Sequence, residues 1–223
     1  MKTMTNWNLP NIEYFLVLYH LVNYEGYEYM DSENLYTYPN SAVLINKQGI
    51  TDPEKAQQNE HLLVTKRLTD LRIRPIEILS IQDVWAVHRY LFQDLYEWAG
   101  ELRQVDISKG DTRFCTFSRI EVEANKLFKQ LQSQNYFQHI EKQKLIMQLA
   151  DFYCELNVIH PFREGNGRTQ RIFFEHLLAY CGYGVDWSQI ESQERWIQAN
   201  VEGFYGHLDG LVQIFKECIV IPE

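Results

Sequence analysis

His160-Pro161-Phe162-Arg163-Glu164-Gly165-Asn166-Gly167-Arg168-Thr169-Gln170-Arg171 is the stretch on which the reading of this chain turns. Two glycines flank Asn166 where a loop passes into an apolar, helix-patterned run. The spacing predicts a helix that opens within Glu164–Gly167, continues to Tyr180 and is closed by Gly182 and Gly184. First-turn N–H groups of a helix lack acceptors within it and, with the macrodipole, favour an anion. Gly165, Asn166 and Gly167 therefore read as a cradle for phosphate oxygens. Arg168 and Arg171, three residues apart, share a helical face over that cradle. Arg163, Arg168 and Arg171 oppose only Glu164 here, in a chain whose formal net charge is −9. Such a local positive focus in an acidic molecule suits an anionic ligand.

Glu164 is out of place beside those arginines unless a divalent cation accompanies the anion. Mg²⁺ takes one or two protein carboxylates and completes its shell with phosphate oxygens and water. His160, fixed by Pro161 and anchored through Phe162, is a candidate general base, able to take a proton from a hydroxyl as phosphorus is attacked. Each of these residues taken singly has a plain structural reading: a packed histidine, a turn, a pair of solvated arginines. Their joint spacing favours chemistry. The remaining histidines, His20, His61, His88, His139, His176 and His207, show no paired metal-ligand spacing and read as core-edge or surface residues, so zinc is not implied.

The rest of the chain is consistent with a folded scaffold around that stretch. With 223 residues, 45% of them hydrophobic, it can bury a substantial core, and a single compact unit is expected. Its negative charge speaks against direct, sequence-independent binding of nucleic acid or of an anionic membrane. Cys115, Cys154, Cys181 and Cys218 form no C-x-x-C pair and read as buried, reduced thiols. No secretory signal pattern and no apolar run of spanning length are present, so a cytoplasmic location is expected.

Helical patterning begins at Asp52-Pro53, an N-cap followed by proline at the first position. Leu62, Leu63, Leu68 and Leu71 then recur at core spacing as far as Pro75. Further helices are expected over about 81–98, ending at Gly100; from a Ser118-Arg119-Ile120-Glu121 capping box to about Leu131; and over about 140–158, 188–200 and 207–220. Residues 102–117 interrupt this pattern. Val105, Ile107, Phe114, Cys115 and Phe117 flank Ser108-Lys109-Gly110-Asp111, which reads as a short β-hairpin turning near Gly110. The N-terminal segment is less regular: Ile12–Asn23 suits a short helix and the tyrosine-rich Tyr24–Tyr38 suits extended chain. The fold class is mostly α with one short β-hairpin.

At this point the sequence resembles a known family. His160–Arg171 matches every fixed position of the Fic-domain signature, H-x-F-x-[D/E]-G-N-G-R-x-x-R, and the 87–100 helix and the Lys109–Phe114 turn resemble the family's supporting helix and its target-docking flap. The resemblance covers about residues 35–220, implying a Fic domain over 36–223 and leaving 1–35 as an extension of unassigned role. It implies a protein adenylyltransferase that moves AMP from ATP to a Ser, Thr or Tyr hydroxyl of a target protein. His160 would be the base, Glu164 would hold Mg²⁺, Gly165, Asn166 and Gly167 would form the anion hole, and Arg168 and Arg171 would bind the outer phosphates. The flap, about 104–117 and centred on Asp106, Ile107, Lys109, Gly110, Asp111, Thr112, Arg113 and Phe114, would hold the target by strand addition.

Many members of that family carry a self-inhibitory [S/T]-x-x-x-E-[G/N] helix whose glutamate meets the signature's last arginine, here Arg171. No Ser or Thr of this chain is followed four residues later by Glu. The chain thereby resembles Fic toxins restrained by a separate small helical antitoxin, some of which modify the ATPase subunits of DNA gyrase and topoisomerase IV. Two alternatives stand beside this reading: transfer of another phosphate-containing group, such as phosphate or UMP, and a module that binds nucleotide or partner without catalysis.

Overall fold

In the computed structural model, which describes residues 27–29, 35–73 and 79–221, Asp52 does what its place before a proline suggests. Its Oδ1 accepts the Lys55 N–H at 2.9 Å, and Pro53 takes the first position of helix α1, Pro53–Ile73. The buried stripe of α1 runs through Glu60, Val64, Leu68 and Leu71. Leu62, expected in the core, is 67% exposed. Two residues from either Glu60 or Val64, it lies about 200° around the helix, on the opposite face.

Helix α2, Ile81–Phe92, begins in a capping box that the sequence reading passed over, because Asp rather than Glu fills the third position. Ser80 Oγ accepts the Asp83 N–H at 3.3 Å, and Asp83 Oδ2 accepts the Ser80 N–H at 2.8 Å. The helix stops at Phe92, short of the expected Trp98. Beyond it, the carbonyls of Asp94 and Leu95 accept from the Gln48 side chain (2.7 Å) and the Lys47 N–H (2.8 Å), while Arg67 grips the Asp94 carboxylate through two bonds. The turn that follows buries Leu95 and Tyr96 and stacks Tyr96 on Trp98 with centroids 4.4 Å apart. Gly100 closes it at φ +84°.

The hairpin is as expected. Strands β2, Ile107–Lys109, and β3, Thr112–Arg113, pair antiparallel across Gly110-Asp111. A further strand, β1 (Tyr27–Tyr29), pairs along the other side of β2, with Tyr27 opposite Lys109 and Tyr29 opposite Ile107. The tyrosine-rich segment is thus extended there; the Ile12–Asn23 helix, Pro75 and most of the 1–35 extension fall outside the described residues. The Ser118 capping box does not form. Ser118 lies inside a 3₁₀ turn, Phe117–Arg119, because the Phe117 N–H is drawn to Asp106 Oδ1 at 2.8 Å, and helix α3, Ile120–Ser133, follows directly. Helices α4, Lys142–Ile159, and α5, Asn166–Tyr180, match the sequence pattern closely.

The residues gather into two compact units, one comprising 24–130 and 155–173, the other including 131–154 and 174–223. The first contains the hairpin, α1, α2 and the whole His160–Arg171 stretch. The second has an aromatic core in which Tyr153 meets Trp196 at 5.3 Å and Phe215 at 5.6 Å, and Phe174 meets Phe215 at 5.7 Å. Its helices start later than expected. Asp186 caps a 3₁₀ turn at Trp187–Gln189, so that α6, Gln193–Phe204, begins only where Ser192 Oγ accepts the Arg195 N–H; α7 spans Asp209–Cys218. A small sheet not evident in the sequence joins β4, Gly184–Val185, to β5, Ile219–Val220.

All four cysteines are free. Cys154 and Cys218 are buried as expected, whereas Cys115 and Cys181 are half-buried. Burial pushes the Cys181 thiol up to about 11 and that of Cys218 to about 12, which keeps both protonated at neutral pH. Among the described residues, no helix is long and apolar enough to cross a membrane.

Gly100 needs both its positive φ and its missing side chain, since a Cβ there would lie 2.6 Å from Arg89 Cβ. Gly100→Ala is therefore expected to lower stability by about 2 kcal/mol, seen as a lower urea midpoint at unchanged m-value.

Candidate active site

The loop from Ile159 to Asn166 is stapled from within. Asn166 Oδ1 accepts the Phe162 N–H at 2.8 Å and Asn166 Nδ2 donates to the Phe162 carbonyl at 2.8 Å, which closes the loop at the start of α5. The side chain of Asn166 thus holds the cradle's shape, and only its backbone N–H is positioned to meet a ligand. Phe162 is 1% exposed, stacked on His88 (3.7 Å) and edge-on to Trp85 (5.4 Å). Gly165 adopts φ +82°, and a Cβ there would sit 2.4 Å from the Phe92 ring. Close packing against this ring, as well as approach to an anion, requires glycine here.

His88 supports the same loop from beneath. The Gly100 N–H donates to its Nδ1 at 2.8 Å, so its proton lies on Nε2, which donates to the Glu164 carbonyl at 2.9 Å. The ring is fully buried and neutral, pushed down to about 3 by burial. It is a core residue, not a core-edge one.

His160 itself has φ +45°, a left-handed conformation that costs a non-glycine residue about 1–3 kcal/mol. Its carbonyl accepts Arg103 Nε at 2.8 Å, and the Pro161 carbonyl accepts the Arg103 N–H at 2.9 Å. The guanidinium also donates to the carbonyls of Val105 (2.6 Å), Ile159 (3.3 Å) and Cys115. Arg103 thereby ties the base of the hairpin to the His160 loop. Burial lowers its pKa to about 10, leaving it cationic at neutral pH.

The His160 ring bonds through Nδ1 to the Asn157 carbonyl at 3.1 Å, which places its proton on Nδ1 and makes Nε2 the basic nitrogen. It stacks on Phe114 of the hairpin at 3.9 Å. Burial, with help from the charges of Arg103 and Lys109, pushes it down to about 3, so it is neutral at pH 7. Lys109 is itself pushed down by burial and drawn back up by Glu164, so its charge acts on both the base and the carboxylate.

Glu164 Oε1 accepts the Gly165 N–H at 2.9 Å and stands 3.5 Å from an Arg168 nitrogen. Burial raises its pKa, Arg168 opposes that, and Glu60 adds to it. Arg168 lies over the Phe92 ring at 4.6 Å and pairs with Glu60 of α1 at 2.5 Å, and Glu60 also accepts the Tyr96 hydroxyl. Arg171, one turn further along, is 3% exposed.

Among the described residues, no group of three or more His, Cys, Asp or Glu side chains could hold a metal alone. The donor set fits Mg²⁺ nonetheless. The Gly165 N–H and Arg168 both meet the Glu164 carboxylate at Oε1, so Oε2 can supply the one protein oxygen that a phosphate-bound Mg²⁺ needs.

Comparison with known proteins places this arrangement. A family model described as the Fic/DOC family matches residues 78–178. A probable protein adenylyltransferase Fic of Salmonella typhimurium is 41% identical over 184 residues, which cover 82% of this chain and 91% of that protein. Its namesake in Escherichia coli is 40% identical over the same shares. The chain belongs to the Fic/DOC family. The crystal structure of the BepC protein of Bartonella tribocorum with bound AMPPNP matches with a TM-score of 0.77 at 28% identity, covering 86% of this chain and 98% of that one.

In this Fic chain the structure gathers His160, Glu164, Gly165, Asn166, Gly167, Arg168, Lys109 and Phe114 in one unit. Asp106 and Arg113 turn to each other at 2.8 Å and brace the hairpin's base; Gly110 and Asp111 are exposed at its tip, Thr112 is half-buried and Ile107 packs inward. Sequence reasoning missed Glu60, His88, Tyr96 and Arg103. Glu60 had a usable signal, a carboxylate in line with Val64, Leu68 and Leu71. His88 stood likewise between Val84, Val87 and Leu91. Arg103 gave none.

Arg103→Ala would leave its carbonyl partners unsatisfied in the interior and is expected to cost about 3 kcal/mol or more. Arg103→Lys should not restore it, because an ammonium cannot span those acceptors; thermal melts of the three proteins make the check. His88 yields a pH test. The unfolded ring titrates near 6.5 and the folded one at about 3. Its contribution is thus complete above pH 6.5 and lost as pH falls toward 3. His88→Gln should flatten stability against pH in that window by up to about 1.4 kcal/mol per pH unit, measured by urea midpoints across the range.

Proposed function

We propose that this Fic protein is a protein adenylyltransferase, transferring AMP from ATP to a hydroxyl side chain of a target protein. The observation that carries the proposal is the state of His160. A neutral ring with its proton committed to the Asn157 carbonyl presents Nε2 as the base, beside a helix N-terminus, a carboxylate and two cations. In the reaction, the target hydroxyl oxygen forms a bond to the α-phosphorus and its proton passes to Nε2. The bond from α-phosphorus to the bridging oxygen breaks, and pyrophosphate leaves. Backbone N–H groups at the start of α5 meet the phosphate oxygens, while Arg168 and Arg171 face the outer phosphates. Mg²⁺, when held by Glu164, offsets phosphate charge and orients the leaving group.

The hairpin docks the target as an added strand, setting its hydroxyl in line. Because β1 already pairs with β2, addition on that side requires β1 to leave, whereas among the described residues no strand pairs with the outer edge of β3. The finer parts of the proposal rest on the family resemblance. These are a cytoplasmic setting, restraint by a small helical antitoxin that offers a glutamate to Arg171, and targets among type II topoisomerase ATPase subunits. The Fic domain is taken as residues 36–223.

Labelled ATP tests the reaction. Label from the α position should appear on protein and label from the γ position should not, and His160→Ala should reduce transfer at least about 100-fold. Transfer from the γ position alone would identify a phosphotransferase instead.

A further inference from the structure

The signature's first arginine is held by a residue far outside the signature. Glu60, on α1, is 3% exposed and meets Arg168 at 2.5 Å through Oε1. Its Oε2 accepts the hydroxyl of Tyr96, which is itself 4% exposed. Burial and then Glu60 raise the Tyr96 pKa well above its ordinary value, so the phenol keeps its proton and remains a donor. Arg168 also rests on the Phe92 ring at 4.6 Å, the same ring against which Gly165 packs. The guanidinium therefore has a fixed seat, with Glu60 on one side and Glu164, at 3.5 Å, on the other.

The two distances differ by enough to matter. An N–O separation of 2.5 Å is a direct charge-assisted bond, whereas 3.5 Å lies at the edge of hydrogen bonding. Glu164 lies two residues before α5 and Arg168 in its first turn, and at 3.5 Å the carboxylate and the guanidinium are near enough to pair if nothing else holds the cation. Glu60 competes for the cation and draws it away. It also adds negative charge: with Glu60 present, two carboxylates surround one arginine, and without it Glu164 and Arg168 would neutralise each other. Both effects leave Glu164 a better partner for a divalent cation.

We infer that Glu60, steadied by Tyr96, is a positioning residue that keeps Arg168 off Glu164 and so preserves the Glu164 carboxylate for the Mg²⁺ of the nucleotide complex. The inference rests on the adenylyltransferase reading, because it supposes that Glu164 serves a nucleotide-bound cation. Glu60 lies on α1, outside the signature, and acts through Arg168.

Binding of AMPPNP, followed calorimetrically while Mg²⁺ is titrated, reads this step without turnover, and Mn²⁺ in place of Mg²⁺ allows bound metal to be counted by electron paramagnetic resonance. Glu60→Gln, which keeps the shape and removes the charge, is expected to raise the Mg²⁺ concentration for half-maximal AMPPNP binding about 10-fold or more and to weaken Mn²⁺ retention in parallel. Excess Mg²⁺ should restore binding. Tyr96→Phe, which keeps the stack on Trp98, should shift the same midpoint in the same direction by a smaller factor, and it serves in place of Glu60→Gln if that variant fails to fold. An unchanged Mg²⁺ midpoint in a folded variant overturns the inference alone. So does tighter nucleotide binding, which would make Glu60 a competitor of phosphate for Arg168. A native chain that binds no AMPPNP at any Mg²⁺ concentration overturns the adenylyltransferase reading and this inference with it.

Discussion

A guanidinium with no exposed surface holds the working parts of this protein together. Arg103 donates to carbonyls on both sides of a gap that no secondary structure bridges: Val105 and Cys115 in the hairpin's stems, Ile159 and His160 at the end of α4. The nearest carboxylate, Asp106, is 3.9 Å away, so carbonyl dipoles supply most of the compensation that a buried charge demands. No single neutral side chain could do this, because four carbonyls need donors at once and only a guanidinium presents five N–H groups. Removing the cation would leave four carbonyls without this donor, and only backbone bonds such as Cys115 N–H to the Val158 carbonyl (2.9 Å) would then tie the hairpin's stem to α4. The stack of Phe114 on His160 depends on the same tie, since it joins a hairpin residue to a loop residue.

A second buried cation is managed in the opposite way. Arg168 is surrounded by carboxylates and an aromatic face, yet stays close to where phosphate would bind. In an interior of low dielectric, such a cation would pair with the nearest carboxylate unless another held it better. Glu60 and Tyr96 do so from α1 and from the turn after α2, two segments whose placement is set by the Arg67–Asp94 pair and the Lys47–Leu95 bond. The early end of α2 is therefore tied to the site. Had that helix run on to Trp98, Tyr96 would occupy a helical position instead of the turn from which it reaches Glu60.

The parts of this structure that were legible in the sequence are those encoded over short spans. Asp52-Pro53 opens a helix, Gly110-Asp111 turns a hairpin, and Gly165-Asn166-Gly167 starts α5, each through local chemistry that a window of a few residues contains. The His160–Arg171 spacing likewise pointed to a loop that runs into a helix, and α5 starts within it at Asn166. What stayed hidden depends on partners distant in the chain. Leu62 has the same residue type as Leu68, and only the direction of the core separates them. Ser118-Arg-Ile-Glu satisfies a capping pattern, but Asp106 diverts the local backbone; Ser80-Ile-Gln-Asp departs from that pattern and caps all the same. Arg103 looks like any surface arginine because two of its acceptors lie 56 and 57 residues on, at Ile159 and His160.

The two buried histidines of the first unit show why residue type and spacing underdetermine a role. Both rings are pushed down to about 3 by burial, and both are neutral at physiological pH. They nevertheless carry their protons on opposite nitrogens. At His88 a backbone N–H aimed at Nδ1 forces the proton to Nε2, where the Glu164 carbonyl consumes it, so both nitrogens serve structure. At His160 a backbone carbonyl aimed at Nδ1 keeps the proton there and turns Nε2 into an acceptor. A donor facing one ring and an acceptor facing the other decide the matter. A facing N–H thus makes the His88 ring a strut through both nitrogens, and a facing carbonyl leaves His160 Nε2 as the acceptor that the proposed role requires.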